Sequence, residues 1–294
     1  MLLTIIILLS DATNFPIRKG LLRLGGTIAG VMLGLICVQF CIDSKLAMSL
    51  SLLTVITVIN YFGFKSLYQY AYFYAGLTFL LVYMIASIDA DSFEYFIAWR
   101  VSEIAVGVVI CMLVSCLNIY AIKEKLPVKN DCLKRSFKIA LNAYLSFLAC
   151  IAIGWYGLIP GMVSAYVITA EATYEGAVRK ATHRFLGCII GGLLALSYLR
   201  YIEQTPVSIS MFVFIGIFSL VYMRLTYTSM SYVFLQAALA LSITVVGSGN
   251  ETVNEIVPAL QRLSGILLGG GISLITSALL FPAAHQVVLP KNSQ

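Results

Sequence analysis

Two basic clusters carry the clearest chemical signal in this chain. Arg18, Lys19 and Arg23 form the first, and Arg179, Lys180 and Arg184 repeat its spacing. Like charges gathered at the mouth of a helical bundle raise the local concentration of an anionic ligand. The same residues would also orient membrane helices and meet anionic lipid headgroups; their recurrence at equal spacing keeps anion binding in play. Acids are scarcer. Glu103 stands three residues after Arg100, on one face of a helix, at a depth where an unpaired charge is costly. Glu103 is therefore a candidate proton carrier, with a structural pair to Arg100 as the other reading. Asp11 and Glu171 each end the helix ahead of a basic cluster. They read either as gates for protons or substrate, or as ion-pair partners of the neighbouring Arg and Lys. Arg262 matches Arg100: each precedes a glycine, Gly269 or Gly107, by seven residues.

Eight of the fourteen residues from Tyr61 to Tyr74 are aromatic, around Lys65. An interfacial belt accounts for such a run, and aromatic faces beside a cation would also suit an aromatic carboxylate. Other chemistry finds no footing. His183 and His285 have no second ligand at metal spacing. The seven cysteines form no C-x-x-C pair and read as small hydrophobes. Neither a Walker A loop, a dinucleotide glycine pattern nor a hydrolase elbow is present. The expectation is no metal, no cofactor and no enzymatic activity.

The elements that must position these residues are membrane helices. Of 294 residues, 60% are hydrophobic and 11% charged, with a mean hydropathy of +0.95, whereas soluble domains carry about 25% charged residues. Uncharged runs such as Leu24 to Ile42, Leu46 to Phe64 and Gln204 to Met223 match the roughly 20 helical residues that cross a bilayer. Ten crossings are predicted, at 20–41, 46–63, 68–88, 96–120, 136–154, 158–174, 183–200, 206–223, 228–246 and 258–281. With alternate loops assigned to two sides, fifteen Lys and Arg fall on the side of Arg18 and four on the other. That asymmetry places the Arg18 side, the linker and the C-terminus in the cytoplasm. The net charge of +6 belongs to those short loops and the bilayer, not to nucleic acid.

The chain also matches itself. Between Arg18 to Gly34 and Arg179 to Ala195, seven of seventeen positions are identical: Arg18/Arg179, Lys19/Lys180, Arg23/Arg184, Gly26/Gly187, Ile28/Ile189, Gly30/Gly191 and Leu33/Leu194. Six crossings separate the clusters, so both copies point the same way. The predicted fold is all-α and polytopic, with two tandem parallel repeats: 1–122, of about five helices, and 136–294, of six, joined by a linker at 123–135. Parallel halves are related by an axis along the membrane normal, with the pathway near their interface. The glycine faces, Gly26, Gly30 and Gly34 in one half and Gly187 and Gly191 in the other, are expected to pack helices closely. Since the 44 residues from Arg135 to Val178 precede the second cluster and only 17 precede the first, Met1 is expected to be an internal position of an ancestrally longer chain.

Three stretches, RKGLLRLGGTIAGVMLGL from Arg18, RKATHRFLGCIIGGLLAL from Arg179 and QRLSGILLGGGISLITSALLFP from Gln261, resemble the fusaric acid resistance and aromatic acid exporter family of bacterial inner-membrane proteins. The resemblance implies a pair of six-helix halves, each with a basic cluster ahead of a Gly-rich helix, and a periplasmic adaptor or a homo-oligomer as partner. The leading function is export of small organic anions, aromatic carboxylates above all, across the inner membrane and driven by the proton gradient. A passive anion pore is the alternative, because plant malate channels look distantly similar to the family. A non-transporting membrane subunit is the third.

Overall fold

The structure, a computed structural model, describes residues 16–41, 44–88, 131–153, 159–171, 173–203, 205–247 and 257–280, with scattered helical positions between 98 and 109. These residues form helices α1 (Pro16–Cys41), α2 (Lys45–Lys65), α3 (Gln69–Ile88), α4 (Cys132–Ile153), α5 (Ile159–Thr169), α6 (Tyr174–Tyr201), α7 (Pro206–Thr226), α8 (Ser231–Gly247) and α9 (Val257–Leu280). Eight of them are long and apolar enough to cross a membrane. The remaining described helix, α5, has 11 residues, about 16 Å of rise, and falls short of the crossing predicted at 158–174. The crossing predicted at 96–120 lies almost entirely outside the described residues.

Helix ends follow local chemistry more than hydropathy. Helix α6 starts nine residues before its predicted crossing because Thr173 caps it, accepting from the Gly176 amide at 3.1 Å, and Glu175 sits favourably in the first turn. Thr205 and Ser208 form a reciprocal capping box at the start of α7, with Pro206 at its first turn. Helix α4 begins at Cys132, so the last residues assigned to the linker already belong to a helix.

Two apolar clusters organise the bundle. Leu52 and Ile56 of α2, Phe79 and Tyr83 of α3, Ile139 and Ala143 of α4, and Met162 and Tyr166 of α5 pack together. Ala195 and Tyr198 of α6, Val213 and Leu220 of α7, and Ala237 and Leu241 of α8 form the second cluster. Much apolar surface stays uncovered by protein. Phe214 and Phe218 on α7 are 71% and 66% exposed, as suits side chains that face hydrocarbon. Tyr166 ties α5 to its neighbours through its hydroxyl, which lies 3.2 Å from both Asn60 Oδ1 of α2 and the Phe73 carbonyl of α3.

Candidate functional site

Helices α1 and α3 touch along a glycine seam. A Cβ at Gly26 would strike the Ala71 carbonyl, one at Gly30 the Ala75 carbonyl, and one at Gly34 the Val82 side chain. Only glycine lets the two backbones come that close. The contact advances in the same direction along both helices, so they run parallel. Arg23 precedes Gly26 by less than a turn and is carried into this seam, where it is 1% exposed. Its guanidinium carbon lies 4.5 Å from the Tyr74 ring centre, and Nη1 donates to the Tyr74 hydroxyl at 3.3 Å. Tyr70, one turn earlier on α3, packs its ring 4.8 Å from that of Tyr74. Thr27, one turn after Arg23, is also fully buried.

Helices α6 and α8 meet in the same manner. A Cβ at Gly187 would strike the Val233 carbonyl, and one at Gly191 the Ala237 carbonyl. Arg184 is 7% exposed. Its Nε donates to Ser164 Oγ of α5 at 3.2 Å and its Nη1 to the Tyr232 hydroxyl of α8 at 3.3 Å. Among the described residues, Arg23 and Arg184 are the only charged side chains that are buried.

The other predicted residues separate from these two. Expected with them around an open mouth, Arg179 is exposed, Arg18 and Lys19 are half-buried, and Arg18 lies 6.0 Å over Tyr68. Lys180 forms an ion pair with Glu171 at 2.6 Å and lies 5.7 Å from the Tyr232 ring. Arg262 Nε reaches Cys188 Sγ at 3.3 Å, so it joins α9 to α6. Asp11, Arg100 and Glu103 lie outside the described residues, as do Met1 to Ser10. All six basic residues belong to helices, because α1 and α6 extend beyond their apolar stretches.

Sequence reasoning centred the aromatic run on Lys65, which does contact the Tyr61 hydroxyl and ring. It did not associate Tyr70 and Tyr74 with Arg23, nor Tyr232 and Ser164 with Arg184. A signal was available: Tyr70 and Tyr74 repeat at helical spacing, each followed by an alanine on which a glycine of α1 sits. A cleft of about 30 Å³ between α2, α3 and α5, lined by Asn60, Phe64, Gln69, Tyr72 and Phe73 among others, has room for about one water and not for an organic acid.

Comparison with known proteins gives one family match: the fusaric acid resistance protein-like model covers residues 1–114 and 143–276, most of the chain. No curated protein and no solved structure matches. With eight candidate membrane spans among the described residues and that coverage, the chain belongs to the fusaric acid resistance protein-like family, polytopic membrane proteins associated with efflux transport.

Proposed function

We propose that this chain exports small organic anions, aromatic carboxylates foremost, across the bacterial inner membrane and draws on the proton gradient. The observation that carries the reading is the pair of buried guanidiniums, Arg23 and Arg184. Taking a guanidinium out of water and burying it in protein costs several kcal/mol. A chain that does so twice, each time beside a tyrosine hydroxyl in a parallel helix pair, invests in positive charge inside the bundle. Anions crossing the membrane need such charge to offset their own desolvation.

The aligned positions Arg23 and Arg184, Gly26 and Gly187, and Gly30 and Gly191 occupy like places in two helix pairs. This supports two parallel halves with a transport path near their interface. The basic ends of α1 and α6 are then cytoplasmic, and substrate enters there past Arg18, Lys19, Arg179 and Lys180. A periplasmic adaptor or a second copy of the chain is the expected partner. Glu103 is the proposed proton carrier, with Asp11 and Glu171 as gates.

A passive anion channel is the second reading. It is favoured by the sign of the buried charge, which is positive at both described sites, since a pore needs arginines and no proton carrier. Uptake of radiolabelled benzoate into inverted membrane vesicles, with and without an imposed proton gradient, separates the two. Gradient-driven accumulation abolished by Glu103→Gln is the exporter result. Equilibration without accumulation, indifferent to Glu103→Gln, is the channel result and would overturn proton-driven export.

A further inference from the structure

We infer that one stripe of α7, formed by Ser210, Phe214, Phe218 and Leu225, is a docking face for a transmembrane helix of α4's kind, supplied in trans by a partner membrane protein. The inference rests on the two-halves part of the reading above and not on the transported ligand. Without the occupant the stripe meets hydrocarbon.

The first observation is register. The interval of 161 residues that separates Arg18 from Arg179 also separates Lys45 from Pro206 and Lys65 from Thr226, which are the first and last residues of α2 and α7. Packing keeps that register: α1 on α3 is matched by α6 on α8, and α2 on α3 by α7 on α8. One contact breaks the match. Helix α2 also packs along α4, with Ala140, Ala143 and Phe147 of α4 in one apolar cluster with Leu52, Ile56 and Phe64 of α2. Among the described helices none stands against α7 as α4 stands against α2, and the register maps α4 onto no position of residues 1–294.

The second observation is where α7 is bare. Leu52 and Ile59 of α2 are buried, and so are their counterparts Val213 and Leu220. Leu50, Thr54 and Val58 are exposed, and so are their counterparts Met211, Ile215 and Ser219; this is the lipid face common to both helices. A third stripe differs. Ser49, Leu53, Thr57 and Phe64 are half-buried or buried on α2, whereas Ser210, Phe214, Phe218 and Leu225 are all exposed on α7. At the end of the stripe Phe64 is 6% exposed and Leu225 57%. Residues spaced by four share a helix face, so the difference is a continuous strip, and α7 is the least covered of the eight candidate spans.

The chemistry of the occupant follows from the two faces. Lipid tails are as apolar as leucine, so close packing rather than hydrophobicity favours the association of membrane helices. Phe214 and Phe218, stacked 6.4 Å apart, stand where α2 has Leu53 and Thr57 and are larger. The occupant therefore offers small side chains, as α4 does with Ala140 and Ala143. Its direction follows from the end contact. Arg135, in the first turn of α4, lies 4.5 Å from the ring centre of Phe64 at the end of α2, so α4 runs antiparallel to α2 and the occupant starts beside Leu225.

The test adds a synthetic peptide with the sequence of residues 132–154, the α4 segment, to the full chain in nanodiscs. The photoreactive p-benzoylphenylalanine replaces Phe218 in one sample and Ile215, on the common lipid face, in another. The expected result is peptide crosslinked from position 218, at a yield about tenfold above that from position 215. Ala140→Phe with Ala143→Phe in the peptide fills the small face and weakens docking about tenfold. Oriented circular dichroism confirms that the peptide spans the bilayer, and thermal unfolding confirms that the chain is folded. Equal yields from the two positions, no peptide crosslinked from position 218, or a yield indifferent to the two phenylalanines overturns the docking face and leaves the stripe to lipid. Crosslinks from position 218 to a second chain make another copy the occupant and likewise overturn it. Transport fails differently: docked peptide with no benzoate flux leaves the face standing and removes transport. Flux without docking removes the face and leaves transport.

Discussion

Arg23 of α1 and Tyr74 of α3 stand 51 residues apart in sequence, yet the guanidinium lies 4.5 Å over the phenol ring and donates to its hydroxyl at 3.3 Å. The contact exists because Gly26 and Gly30 let the α3 backbone press against α1 just beyond it. It fixes one face of the guanidinium and one of its donors.

Replacing Tyr74 by Phe keeps the ring contact and removes the acceptor. The loss of one buried hydrogen bond to a charged donor is expected to cost about 1.5–3 kcal/mol, read as a lower unfolding midpoint in detergent. Tyr232→Phe, which removes the acceptor from Arg184 Nη1, is expected to cost a similar amount.

Gly191→Ala drives a methyl group into the Ala237 carbonyl. With backbone on the other side of the contact, α6 and α8 must separate, at about 1–3 kcal/mol as for other overpacked cores. Gly25 has nothing near its missing side chain, so Gly25→Ala is expected to be neutral or to stabilise by up to about 1 kcal/mol through helix propensity. Thermal unfolding of the two variants side by side checks both signs.

Tyr166→Phe removes the hydroxyl that joins α5 to Asn60 and to the Phe73 carbonyl. The expected loss is about 1–3 kcal/mol, because the buried Asn60 acceptor loses its protein partner. Faster hydrogen exchange at the first turns of α3, with α7 unchanged, is the local signature.

The Glu171 and Lys180 side chains are 37% and 22% exposed, and such pairs contribute at most about 1 kcal/mol. Glu171→Gln is expected to move the unfolding midpoint little. A large loss of transport with normal stability would assign Glu171 a gating role; loss of neither would leave it a surface ion pair.

What the sequence revealed about this molecule was its membrane character and the two matched basic clusters, since both are written in residue type and spacing. The alignment paired Arg23 with Arg184 but treated them like the other two basic pairs, and only the fold separates the two that are buried. Their partners were illegible for a physical reason: Tyr74, Tyr232 and Ser164 meet them through helix contacts across long stretches of chain, and hydropathy carries no record of which helices touch. Hydropathy also misjudged where α6 begins, because a helix capped by Thr173 continues through Arg179, Lys180 and Arg184 regardless of their charge. The short α5 was read as a full crossing because the apolar run around Gly161 does not disclose where a helix stops. Gly161 instead marks where α5 and α9 meet, backbone against backbone at Gly265 and Gly269.

The most direct test of anion transport through the buried arginines is flux of radiolabelled benzoate into proteoliposomes made from the purified full chain. Flux above protein-free liposomes is expected, reduced at least tenfold by Arg23→Gln while Arg200→Gln stays at the wild-type rate. Flux at the protein-free level from folded wild-type protein, or undiminished flux in folded Arg23→Gln, would contradict it.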